Sequence, residues 1–256
     1  MNRINQLFST KPSGVLSVYF TAGFPQLNDT LPVLKALQSN GVDLVEIGIP
    51  FSDPMADGIV IQESGHQALQ NGMNLRLLFE QLSNVRSSIS IPLVMMGYLN
   101  PVLQFGFREF CSECRRVGVD GMIIPDLPMD DYLSEYKAIA DEAGLKFIFL
   151  VTPETSEERI RTIDEHTDGF IYMVSSAAVT GTQVSFDSRE AYFHRLASMN
   201  LKNPRLIGFG VSNRATLEMV NRYASGAIVG SAFIKSLQSN CSIPEAVQAL
   251  LQQLRQ

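Results

Sequence analysis

The stretch VEIGIPFSDPMADG, residues 45–58, carries three carboxylates, Glu46, Asp53 and Asp57. Carboxylates this close together can be solvated loop charge, metal ligands, or an acid–base pair. Glu46 is the informative one, because it interrupts an apolar run that reads as a β-strand. Side chains alternate along a strand, so Leu44, Glu46 and Gly48 share one face and Val45, Ile47 and Ile49 the other. The bulky face is expected to meet covering helices, which turns Glu46 inward. A buried carboxyl without a cationic partner holds its proton to higher pH than usual, and such a group can deliver a proton.

Other chemistries find less support. A Schiff-base enzyme needs a lysine at the site, but Lys146 begins a strand and Lys235 lies in a helical stretch. His66, His166 and His194 also fall in or near helical stretches and are expected on the surface. Cys111 and Cys114 form a CxxC inside FREFCSECRRVG (107–118). No second Cys or His pair follows at zinc spacing, and a redox CxxC would open a helix. They are expected to be plain thiols on a packed helix face, and the odd third cysteine, Cys241, argues against a disulfide framework.

The elements that must position these groups recur along the chain. Eight β-rich runs appear: 16–23, 42–50, 91–98, 119–126, 146–152, 169–175, 204–210 and 226–233. Most are continuously apolar, as parallel strands covered on both sides are. Amphipathic helical segments such as 30–41, 107–118, 130–144 and 215–226 lie between them. Eight βα units in 256 residues match a (β/α)₈ TIM barrel, an α/β fold, read as a single domain over 1–256. A doubly wound sheet is the alternative, but no GxGxxG turn follows the first strand. Active sites of such barrels collect at the C-terminal strand ends, where Glu46 falls.

The end of the chain carries a second signal. GFGVS (208–212) follows the seventh strand and VGSAFIKSL (229–237) the eighth. These are the barrel positions where backbone N–H groups and a short helix N-terminus bind phosphate. Gly210, Gly230 and Ser231 are the expected cradle, with Gly181 and Thr180 from a third glycine-bearing loop, SSAAVTGTQ (175–183). Carboxylates, apolar walls and a phosphate site suit proton-transfer chemistry.

Composition sets the context. A net charge of -6 argues against nucleic-acid binding. No apolar run approaches the roughly 20 residues of a membrane span, and the first residues lack a signal peptide's apolar core. A cytoplasmic protein is expected.

VEIGIPFSDPMADG matches the signature stretch of the tryptophan synthase α chain family. YFTAGFP (19–25), DLP (126–128), VTG (179–181), GFGVS and VGSA follow in the family's order and at similar spacing. The chain therefore resembles that family over essentially its full length. The resemblance implies a lyase that splits indole-3-glycerol phosphate into indole and glyceraldehyde 3-phosphate. It implies a pyridoxal-phosphate-dependent β chain as partner, in an α2β2 heterotetramer, and no cofactor in this chain. By motif match Glu46 and Asp57 take the two catalytic carboxylate positions, while Asp53 shapes loop closure or the partner contact, or is merely solvated. Phe20, Leu99, Leu150 and Tyr172 fall where the family forms its indole pocket; the alternative for each is ordinary core, and for Leu99 and Leu150 the two readings weigh equally.

One departure stands out: Ser176, Ala177 and Ala178 replace the arginine and glycine that many members carry before VTG. Segments 51–60 and 176–190 are expected to be mobile until substrate binds. The apolar segment YLNPVLQFGF (98–107) is expected to belong to the β-chain interface, with Val102 and Phe105 as contacts. The rival readings are a sister phosphate-binding isomerase or synthase, and a weakly active barrel serving mainly as an allosteric subunit.

Overall fold

The computed structural model describes residues 1–174, 186–208, 210–239 and 242–255, with residues 186–189 described by their backbone alone. Nine parallel strand segments make one sheet: β1 (Val15–Thr21), β2 (Leu44–Gly48), β3 (Leu93–Met96), β4 (Gly121–Ile123), β5 (Lys146–Phe147), β6 (Leu150–Val151), β7 (Ile171–Val174), β8 (Arg205–Gly208) and β9 (Gly226–Val229). Their order is β5-β4-β3-β2-β1-β9-β8-β7-β6. The two outermost segments are consecutive in the chain, so the sheet closes on itself through residues 148 and 149.

This corrects the count of eight. The fifth expected strand is split, because its two halves pair with different neighbours. Ile148 N–H donates to Met122 O on the β4 side at 3.0 Å, whereas Phe149 O accepts from Tyr172 N–H on the β7 side at 3.0 Å. The run 146–152 thus hands the barrel from one edge to the other. The architecture is otherwise the expected (β/α)₈ barrel, with β8 and β9 as its seventh and eighth strands.

Strand alternation sorts the core into two layers. Val15, Leu44, Val94, Ile123, Ile148, Tyr172, Leu206 and Ile228 point into the barrel and pack as one cluster. Val18, Phe20, Val45, Ile47, Leu93 and Met95 point outward into the larger layer under the helices. The N-terminal helix Arg3–Thr10 stoppers the far end of the barrel: Ile4 is fully buried in the inner cluster and Phe8 lies 6.0 Å from Phe170. Asp120 ties that end together. It pairs with Arg86 at 2.6 Å and Arg3 at 2.9 Å, and accepts from Leu93 N–H at 2.9 Å.

Cys111 and Cys114 are buried in the helix Phe107–Val117. Burial pushes the Cys111 thiol up to about 12 and raises that of Cys114 as well. Both are inert packing groups; Cys241 lies outside the described residues. No helix among the described residues is long and apolar enough to cross a membrane.

Candidate active site

Glu46 lies midway along β2, wholly buried. It faces into the barrel with Leu44, opposite Tyr19 in the β1 register. Ser17, two residues before Tyr19 and so on the same face, donates its hydroxyl to Glu46 Oε1 at 2.9 Å. Glu46 Oε2 is buried without a hydrogen-bond partner, and among the described residues no lysine or arginine pairs with this carboxyl. Burial lifts its pKa from 4.5 to about 8, against a smaller opposing effect of the Ser17 hydrogen bond. At neutral pH the side chain is a carboxylic acid with a proton to give.

Asp57 stands in the turn beyond β2. The Tyr98 hydroxyl donates to Asp57 Oδ2 at 3.0 Å and accepts from Ala56 N–H at 2.9 Å. Burial raises the Asp57 carboxyl, and the Tyr98 hydrogen bond works against that rise. The two carboxyls therefore occupy different surroundings, as an acid and a charged partner must. Asp53 is exposed and accepts from the Ser52 hydroxyl. The structure does not bring it to the site.

A cavity of about 550 Å³ opens at the barrel mouth, lined by Asp57, Tyr19 and Tyr172 together with Gly210, Gly230 and Ser231. Two glycines make room for the tyrosines. A Cβ on Gly48 would collide with the Tyr19 ring and hydroxyl, and one on Gly208 with those of Tyr172. Both rings fit against the strand ends only because those positions are bare. The helix Ser231–Gln238 begins at the cavity wall and aims its positive end into the cavity. Lys235, one turn further along, also lines it.

Tyr172 belongs to the inner cluster and lines the cavity, and Leu150 packs against that cluster. His66, His166 and His194 are exposed on helices. Among the described residues no group of three His, Cys, Asp or Glu side chains could hold a metal ion. Thr180, Gly181 and Ser176 to Ala178 lie outside the described residues.

Three expectations are corrected. Phe20 faces the helices, fully buried in the outer layer, and the inward aromatic is its neighbour Tyr19. Leu99 opens the helix Leu99–Phe105 and packs on the outer layer, not in the cavity. Val102 is fully buried and Phe105 lies 5.5 Å from Phe79, so a charge at Val102 would disturb the core and not a docking face. Of that segment only Leu103 is a markedly exposed apolar residue, at 45 %.

Tyr19, Tyr98 and Lys235 were missed. The polar Ser17 and Thr21 flanking Tyr19 at spacing two were a usable sign of its face. Lys235 could have been read from its four-residue spacing to Ser231 on one helix face. Nothing local announced Tyr98.

Comparison with known proteins decides the relationship. The family model described as "Tryptophan synthase alpha chain" matches residues 7–256. The chain belongs to the tryptophan synthase alpha chain family. It is 61% identical over 257 residues to the tryptophan synthase alpha chain of Parabacteroides distasonis, covering 100% of both chains. The crystal structure of tryptophan synthase subunit alpha from Legionella pneumophila superposes with a TM-score of 0.89 at 32% identity, covering 100% of this chain and 97% of that one. A tryptophan synthase chain from M. tuberculosis, in an aminoacrylate-bound form, gives a TM-score of 0.86 at 29% identity, covering 99% and 98%. As a member of this family, the protein is a lyase of tryptophan biosynthesis that cleaves indole-3-glycerol phosphate.

Proposed function

We propose that Glu46 and Asp57 divide the retro-aldol cleavage between them, Glu46 carrying protons and Asp57 stabilising charge. The observation behind this reading is the Glu46 carboxyl: buried, protonated at neutral pH, with one oxygen on Ser17 and the other unpartnered. Indole is a poor carbanion leaving group. Its C3 must first accept a proton, which puts positive charge on the ring nitrogen. A side-chain hydroxyl then loses its proton as the C–C bond breaks to give an aldehyde. Glu46 gives the first proton and, as carboxylate, takes the second. Asp57, ionised, accepts a hydrogen bond from the ring N–H and offsets the charge formed there. Tyr19 and Tyr172 wall the ring, and the phosphate rests on the backbone at Gly210, Gly230 and Ser231.

The chain works as a single domain in the cytoplasm, in an α2β2 heterotetramer with a pyridoxal-phosphate-dependent β chain that takes up the indole. No cofactor is needed in this chain. Met55, Ile59 and Leu103, exposed on the segments after β2 and β3, suit a partner surface at the mouth. Segment 51–60 orders when substrate binds.

Glu46→Gln keeps size and polarity but removes the transferable proton. Indole formation at saturating substrate should fall by roughly 10²–10⁴-fold while a substrate analogue still binds. Asp57→Asn should also depress turnover more than binding. Near-normal turnover by Glu46→Gln, measured with the β chain present, would end the assignment; turnover negligible in the wild type even then would favour a mainly regulatory subunit.

A further inference from the structure

Three loops meet at Tyr98. The residue ends the β3 run, is 7% exposed, and leads into the helix Leu99–Phe105. Its hydroxyl accepts from Ala56 N–H at 2.9 Å and donates to Asp57 Oδ2 at 3.0 Å, so one oxygen holds both the backbone and the carboxylate of the loop after β2. The Phe51 ring, at the start of that loop, lies 5.4 Å from the Tyr98 ring. The next backbone group is tied in another direction. Leu99 N–H donates to Asp126 Oδ1 at 2.9 Å, and Asp126 opens the DLP run after β4.

We propose that Tyr98 is a positioning residue for Asp57, anchored in turn by Asp126, so that the loops after β2, β3 and β4 hold the catalytic carboxylate as one unit. The proposal rests on the role given above to Asp57. It gives the DLP motif a task that the cleavage chemistry leaves unassigned.

The physical case is one of saturation. A phenolic oxygen has one proton to donate and lone pairs to accept with. Tyr98 spends the proton on Asp57 and a lone pair on Ala56, which fixes the hydroxyl's rotation. Among the described residues no other group donates to the Asp57 carboxylate. The surrounding run SDPMADG has few side chains that could hold it. Ordering by a charge-assisted hydrogen bond then keeps Asp57 aimed into the cavity it lines.

A test by pH must count the neighbours. Tyr19 of β1 and Tyr172 of β7 interact electrostatically with Asp57, and with Glu46 of β2. Asp126 faces Tyr98. Among the described residues only the Tyr98 hydrogen bond favours the ionised form of Asp57. Removing it lets burial raise that carboxyl further, so the acid limb of the rate profile moves to higher pH.

The experiment is a double-mutant cycle in the complex with the β chain, measuring indole formation across pH. Tyr98→Phe keeps the ring against Phe51 and removes the hydroxyl. We expect kcat to fall about 10-fold, a typical cost for a bond to a charged group, with KM changed less and the acid limb moved up. Asp126→Ala should move both in the same direction by a smaller factor. In an Asp57→Asn background, Tyr98→Phe should cost almost nothing more. An equal loss in that background would overturn the positioning role while leaving Asp57's own role intact. Full turnover by Asp57→Asn alone would take both down. A Tyr98→Phe chain with unchanged kcat and acid limb, or one that no longer melts cooperatively, would also overturn the proposal, and an inert Asp126→Ala would remove the anchor.

Discussion

Glu46 holds its proton by being buried, and burial has a thermodynamic signature apart from catalysis. Its carboxyl titrates at about 8 in the folded chain against an ordinary 4.5. Between those values the folded state binds a proton that the unfolded state has released, so stability falls as pH rises. The slope is about 1.4 kcal/mol per pH unit from this one group. Below pH 4.5 the contribution is fully present; above about pH 8 it is gone. Glu46→Gln removes the dependence. Denaturation midpoints of the two chains should nearly coincide at pH 4.5 and diverge toward pH 8, with the inactive variant the more stable. Parallel curves would mean that Glu46 ionises freely in the fold. The same ionisation should close the basic limb of the wild-type rate profile near pH 8, since the acid form starts the reaction.

The helix Ser231–Gln238 shows what an element adds to its residues. Its N-terminus faces the cavity with orphan N–H groups, and Lys235 brings one full positive charge to the same wall. In a chain of net charge -6, that charge should draw in a phosphate-bearing substrate. Lys235→Gln should raise KM several-fold with kcat nearly kept, and flatten the fall of kcat/KM with added salt. An unchanged salt slope would confine Lys235 to the surface.

At this scale the limits of sequence reading are also visible. Parity along β2 was legible because Glu46 breaks an apolar run and Val45 and Ile47 flank it. Parity along β1 was not, since Tyr19 and Phe20 are both aromatic and only one can face inward. Leu99 follows the third apolar run directly, but it opens a helix that carries it away from the mouth. The bridge from Tyr98 to Asp57 joins groups 41 residues apart. No local spacing encodes it.

The whole molecule divides its labour between two ends. The unpaired acid lies inside the barrel and the bare glycines at its mouth, while the far end is closed by the N-terminal helix and by Asp120 between Arg86 and Arg3. Asp120→Ala would strand a half-buried guanidinium and unpin Leu93 N–H. A loss of roughly 3–5 kcal/mol is expected in chemical denaturation, with kcat retained under conditions where the chain stays folded. A drop in kcat matching the loss of stability would show that the two ends are not independent.

The split in the fifth strand has a consequence for how the barrel breathes. Every other strand segment has three or more residues, but β5 and β6 have two each. The ring is thus thinnest where its two edges meet. Local opening is expected to begin there, because the fewest hydrogen bonds must break together. In hydrogen–deuterium exchange, the amides of Ile148 and Tyr172, which donate to Met122 O and Phe149 O on the two sides of the join, should exchange before those of Ile47 and Val18 in the long β1–β2 ladder. Equal protection around the ring would mean that the join opens only when the whole barrel does.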